Sequence, residues 1–166
     1  VLKNQIASGF KVFLGKVAWF ATEQQGAMQT TIAAPVPNLN SSIRILLVED
    51  NDISRQLMTD FLRHCGYSIR ALSNGATFAR EMALFCPHLV LLDLKLPDID
   101  GFAVLEQAQQ TVEWSETPII VISAFAFQAD RERALSLGAR QYLVKPVMLP
   151  QIQRAIDDEL KALKVQ

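Results

Sequence analysis

The chain has 166 residues, half of them hydrophobic and a fifth charged, with a formal net charge of −1. That length suits one domain with a real core plus a tail, and is short for two. The near-neutral charge excludes bulk attraction to nucleic acid or an anionic membrane, and no apolar run reaches the roughly 18 residues of a membrane span.

In the leading segment, residues 1–42, Leu2, Ile6, Phe10, Phe13, Val17 and Phe20 recur at helical spacing, while Phe10, Val12 and Leu14 alternate as in a strand. Both conformations stay open there. The stretch TTIAAPVPNLNSS that closes the segment lacks apolar periodicity and reads as a linker. Lys11 and Lys16 interrupt the apolar stretch from Phe10 to Ala21, so it lacks the clean core of a signal peptide, and a cytoplasmic location is expected. Cys65 and Cys86 are the only cysteines. Without CxxC spacing they are expected to be two buried thiols with no disulfide between them, and His64 and His88 have no metal-type spacing.

From Ile43 the pattern becomes regular. The runs IRILLV, YSIRAL, HLVLLD, PIIVIS and QYLV predict five strands separated by longer amphipathic stretches, the signature of a βαβ repeat. Most of these runs are apolar nearly throughout, as expected when helices cover both faces of a parallel sheet. Asn51 and Asp52 predict the cap of a first helix carrying Ile53, Leu57, Phe61 and Leu62 on one face. The last helix carries Leu149, Ile152, Ile156, Leu160 and Leu163. Gly66, Gly75, Gly101 and Gly138 fall at or near the joints, where positive φ is often needed. The expected fold is α/β, a doubly wound five-stranded parallel sheet over residues 43–164.

In an open α/β sheet, ligands bind at the carboxyl ends of the strands. The first predicted strand ends in Glu49-Asp50, the third in Asp93 and the fourth in Ser123, and the fifth runs into Lys145-Pro146. Three carboxylates, a hydroxyl and an ammonium therefore share one edge. Singly, each has a bland explanation as a strand-end charge, a turn cap or a surface ammonium; together they specify a site. Oxygen ligands without His or Cys select a hard cation, and a few carboxylates plus water suit Mg²⁺ better than a full Ca²⁺ cage. Clustered carboxylates repel one another until a metal and Lys145 neutralise them. A carboxylate nucleophile, Mg²⁺ and a Lys are the parts that phosphoryl transfer requires.

The segments LLVEDN, LVLLDLKLPDIDG, PIIVISA and GARQYLVKP, in this order and spacing, resemble the signature segments of bacterial response-regulator receiver domains, over residues 43 to about 163. The resemblance implies a flavodoxin-like strand order, 2-1-3-4-5. It implies that Asp93 accepts a phosphoryl group from a phosphohistidine on a histidine kinase or histidine phosphotransfer protein. Asp50 and Asp93 would ligate Mg²⁺ directly with the backbone carbonyl of Lys95, and Glu49 largely through water. Lys145 would contact the phosphoryl oxygens and Ser123 would hydrogen-bond them, while Tyr142 would change rotamer in response. The Lys145-Pro146 peptide resembles the family's cis bond. Lys95 and Phe125 would flank the phosphoryl group and tune its hydrolysis.

Such a domain is a switch and not a metabolic enzyme. Its output is a changed partner-binding surface, with no direct contact to nucleic acid or membrane, and a homodimer through the face around strands four and five is compatible with it. The rival expectation is a Mg²⁺-dependent phosphatase-type hydrolase with an Asp nucleophile; those enzymes carry a second Asp two residues later, where this chain has Lys95. Three contexts compete: a stand-alone regulator, the receiver of a hybrid histidine kinase, or a leading segment partly added in cloning. GKVAWFAT faintly resembles the end of a kinase ATPase domain, which favours the hybrid, with residues 1–42 as an upstream remnant and linker.

Overall fold

From Ile43 onward, short apolar runs and amphipathic stretches fold as five successive βα units. The structure, a computed structural model, describes residues 43–163; the expectations for residues 1–42 lie outside the described residues. In chain order the elements are β1 (Arg44–Val48), α1 (Asp52–His64), β2 (Ser68–Leu72), α2 (Phe78–Phe85), β3 (Leu89–Leu92), α3 (Gly101–Gln110), β4 (Ile119–Ser123), α4 (Gln128–Ser136), β5 (Gln141–Val144) and α5 (Leu149–Leu163). The strands form one parallel sheet in the order β2-β1-β3-β4-β5. The chain steps outward from β1 to β2 and returns to β3 on the other side, so the ends of β1 and β3 diverge at a topological switch point.

The central strands are continuous apolar runs because both faces are covered. Alternate residues feed two cores. Leu46, Val48, Val90, Leu92 and Val121 pack with Phe78, Met82, Phe102 and Leu105 from α2 and α3. Ile45, Leu47, Leu89, Leu91, Ile120 and Ile122 pack with Met58, Leu62, Ile152 and Ile156 from α1 and α5. The edge strands β2 and β5 are only partly buried. No helix among the described residues is long and apolar enough to cross a membrane.

Three expectations need correction. The buried face of α1 is Met58, Thr59 and Leu62, whereas Ile53 is 80% exposed and Leu57 55% exposed. At about 100° per residue, Ile53 lies roughly 140° around the helix from Met58, so the apolar residues of α1 form two stripes and only one reaches the core. Cys86 is exposed: it is the C-cap of α2 with φ 46°, outside the sheet's cover, while Cys65 is half-buried and no disulfide joins them. Positive φ occurs at Gly66 and Gly138 only among the four glycines; Gly75 and Gly101 serve close approach instead, a Cβ at Gly101 falling 2.4 Å from the Leu94 Cα.

Candidate functional site

Glu49, Asp93 and Lys145 each lie one step past a strand end with the backbone still held by the neighbouring strand, Ser123 closes β4, and Asp50 follows Glu49. The Glu49 N–H donates to the Leu72 carbonyl (3.0 Å), that of Asp93 to Val48 (2.9 Å) and that of Lys145 to Ser123 (2.9 Å). The sheet therefore positions side chains from four strand ends on one edge. Arg55, one turn into α1, braces the acidic pair from the other side: its guanidinium donates to the carbonyls of Glu49 (2.8 Å) and Asp50 (3.1 Å) and pairs with Asp52. Asn51 caps α1, its side chain accepting from the Ser54 N–H, which fixes where the acidic turn ends.

The Lys145 Nζ lies 2.6 Å from both Glu49 Oε2 and Asp93 Oδ2. Glu49 and Asp93 are 1% and 4% exposed, while Asp50 is open to solvent. Burial pushes the Glu49 carboxyl above its ordinary range, with Lys145 partly offsetting it. For Lys145, burial pulls downward, but the hydrogen bonds and charges of Asp93 and Glu49 outweigh it and hold the ammonium above its ordinary value. It is therefore a fixed positive charge at neutral pH. Carboxylate oxygens of Glu49, Asp50 and Asp93 all lie within 4.8 Å of one another. A donor set made of oxygens alone, with one solvent-facing member, fits a hard divalent cation that keeps part of its water shell, as Mg²⁺ does.

The second oxygen of Asp93, Oδ1, accepts from the Lys95 N–H at 2.9 Å, which orients the carboxylate. The Lys95 side chain points to solvent, and its backbone pairs with Asp100 in an isolated bridge. Ser123 is fully buried and its Oγ accepts from the Phe125 N–H (3.3 Å). Tyr142 is buried and its hydroxyl donates to the Phe125 carbonyl (2.8 Å). Ser123, Phe125 and Tyr142 thus form one hydrogen-bonded chain through the β4–α4 loop. The Lys145-Pro146 peptide is cis. A cleft of about 500 Å³ adjoins the ammonium, floored by Leu57, Met58, Val147 and Leu149. All the residues expected from the sequence meet here except the side chains of Lys95 and Phe125, which sit on the exposed rim. Arg55 escaped sequence reasoning because its partners are backbone carbonyls, which no residue type announces.

Residues 45–157 match the family described as response regulator receiver domain. The transcriptional regulatory protein GltR of Pseudomonas aeruginosa is 37% identical over 102 residues, covering 61% of this chain. The chain spans only 42% of that relative's length. The polar-differentiation response regulator DivK of Brucella anthropi is 31% identical over 119 residues, covering 70% of this chain and 94% of DivK. Among solved structures, the receiver domain of the sensor histidine kinase PA1611 from Pseudomonas aeruginosa, described with a magnesium ion coordinated in its active-site cleft, superposes with a TM-score of 0.66 at 30% identity, covering 72% of this chain and 98% of that domain.

Proposed function

Since the chain belongs to the response regulator receiver family of two-component signalling, we propose that it is a phosphoacceptor switch that takes a phosphoryl group from a phosphohistidine onto Asp93. The observation that carries the reading is the Lys145 ammonium held at 2.6 Å from both Asp93 and Glu49, beside the exposed Asp50. An oxygen of Asp93 attacks phosphorus, the P–N bond to the donor imidazole breaks with its electron pair going to nitrogen, and an acyl phosphate remains. Bound Mg²⁺, held by Asp50, Asp93 and the Lys95 carbonyl with Glu49 behind them, would supply charge neutralisation on the transferring oxygens. Lys145 balances the rest. The family match favours this reading over an Asp-nucleophile hydrolase, as does Lys95 at the position where such an enzyme carries its second Asp.

The switch follows from charge. The phosphoryl group brings about −2 charge and strong acceptors next to Ser123 and Lys145. When the Ser123 hydroxyl turns to it, the bond from the Phe125 N–H is lost, and the Phe125 carbonyl is the partner of Tyr142. Tyr142, whose hydroxyl is also within hydrogen-bond reach of Ser123, thereby senses the site, and the surface bearing Phe127, Leu135 and Val144, all exposed, changes shape. That apolar surface suits the output contact, including a homodimer. On the donor side, exposed Ile53, Leu57 and Met148 offer an apolar landing for the kinase or phosphotransfer protein.

Residues 43–164 are the receiver on this reading, a cytoplasmic switch rather than a metabolic enzyme. Residues 1–42 are an N-terminal extension and linker on the same reading, and the likeness of the receiver to that of a sensor histidine kinase favours a hybrid-kinase context over a stand-alone regulator. The test is labelling by acetyl phosphate with and without Mg²⁺. Asp50→Asn should slow labelling at least about tenfold and Glu49→Gln less, since outer-shell groups contribute less than direct ligands. Labelling that is unchanged in EDTA, or in Asp50→Asn, would overturn the assignment.

A further inference from the structure

Asp98 lies in the β3–α3 loop, five residues past Asp93, and its carboxylate spans two successive backbone donors. Oδ1 accepts from the Gly75 N–H at 2.9 Å and Oδ2 from the Ala76 N–H at 2.7 Å. These donors belong to the turn that leads into α2, where the Phe78 N–H closes back on the Gly75 carbonyl. The N–H groups of Gly75 and Ala76 hold the Asp98 carboxyl below the usual carboxylate range, so both acceptors stay charged at neutral pH. The two loops also abut: a Cβ on Gly75 would fall 2.1 Å from Ile99 Cγ2, so this turn has no room for a side chain.

The base of the β3–α3 loop is closed on itself. The Lys95 N–H bonds Asp93 Oδ1, Lys95 bridges Asp100, and the Gly101 N–H bonds the Leu94 carbonyl at 3.1 Å. Those contacts hold the loop's own shape but lie within the β3–α3 segment and do not tie it to the neighbouring β2–α2 turn. On the far side, Leu72 at the end of β2 accepts from the Glu49 N–H, so the turn that Asp98 grips is rooted beside the acidic pair. Asp98 therefore ties the loop carrying Lys95 to the strand end carrying Glu49.

We propose that Asp98 is a positioning residue for the metal site, clamping the β3–α3 loop to the β2–α2 turn so that the backbone of Lys95 keeps its place relative to Asp50 and Asp93. The inference rests on the phosphoacceptor reading, because it is the Mg²⁺ geometry that gives the clamp its purpose. Mg²⁺ requires near-ideal octahedral oxygens at about 2.0–2.1 Å, so loop drift of a few tenths of an ångström weakens it where a more tolerant cation would adapt.

The experiment compares the full chain with its Asp98→Ala and Asp98→Asn variants, using Mg²⁺ alone as the probe and amide NMR as the readout. Asp98→Ala should weaken Mg²⁺ binding roughly tenfold, the low end of outer-shell effects, and Asp98→Asn, which keeps one acceptor, by less. Exchange of the Gly75 and Ala76 amides should accelerate in Asp98→Ala, while the melting temperature in EDTA stays near the parent's. Acetyl phosphate labelling should be slowed at low Mg²⁺ and recover at saturating Mg²⁺, a split that general destabilisation does not produce. Parent-like Mg²⁺ affinity in Asp98→Ala would overturn the clamp alone and leave the phosphoacceptor reading standing. A parent that binds no Mg²⁺ would overturn both.

Discussion

Replacing Lys145 by Met removes the ammonium that lies 2.6 Å from both Glu49 and Asp93 and keeps most of the side chain's length. Two nearly buried carboxylates then face each other without their internal cation. Breaking a fully buried pair by removing one partner costs about 3–5 kcal/mol. Lys145 is 24% exposed, so water screens part of the interaction, and a loss of about 2–4 kcal/mol is expected. For a domain of this size that corresponds to a fall of roughly 8–15 °C in Tm. The assay is thermal or urea unfolding at pH 7 in EDTA.

The pH dependence gives the same prediction a sign. In the parent, the Lys145 value is raised above its ordinary 10.5, so its contribution is complete below that pH and is lost as pH rises through the folded value. In the variant, Glu49 keeps the upward push of burial and loses the offset from Lys145. Its penalty is present when the carboxylate is charged and is relieved as pH falls toward the carboxylate range. The deficit should therefore narrow on acidification, and also on adding millimolar Mg²⁺, which binds the folded site and restores neutralisation. A variant as stable as the parent in EDTA at pH 7, or one whose deficit widens as pH falls, would refute the reasoning.

On the proposed reading, in which the exposed Phe125 two residues past Ser123 shields the phosphoryl group from water, the lifetime of the acyl phosphate should depend on it. Phe125→Ala keeps the carbonyl that Tyr142 uses and should speed phosphate loss roughly threefold to tenfold in a decay time course, with Lys95→Asn acting in the same direction; slower decay in either variant would contradict the shielding. His88 accepts from the Arg44 N–H through Nδ1 (3.0 Å), and burial together with the Arg44 charge lowers its pKa from 6.5. Below pH 6.5 the unfolded chain gains a proton that the folded chain resists, so stability should fall as pH drops through that window, and His88→Gln should flatten the slope in pH-dependent unfolding.

Sequence periodicity located all five strands because β1, β3 and β4 are buried on both faces and leave uninterrupted apolar runs. The acidic pair, Asp93, Ser123 and Lys145 were legible for a related reason: strand ends converge in this topology, so residue type plus position was enough. Other features left weaker traces. The exposed apolar stripe of α1 was read as core because hydrophobicity alone does not say which of two stripes faces inward. Helix α4, QADRERALS, buries only Ala134 and carries little periodicity; the Arg133 guanidinium over the Phe102 ring (4.1 Å) ties it to α3. The roles of Arg55 and Asp98 run through backbone carbonyls and N–H groups, so three-dimensional proximity had to reveal them.

The account turns on Asp93 as the single acceptor, and intact-mass spectrometry after treatment with acetyl phosphate and Mg²⁺ tests it most directly. The parent should gain one phosphoryl group, mapped to the peptide containing Asp93, and Asp93→Asn should gain none. Stoichiometric labelling of Asp93→Asn, or a parent that stays unlabelled at saturating Mg²⁺, would contradict it.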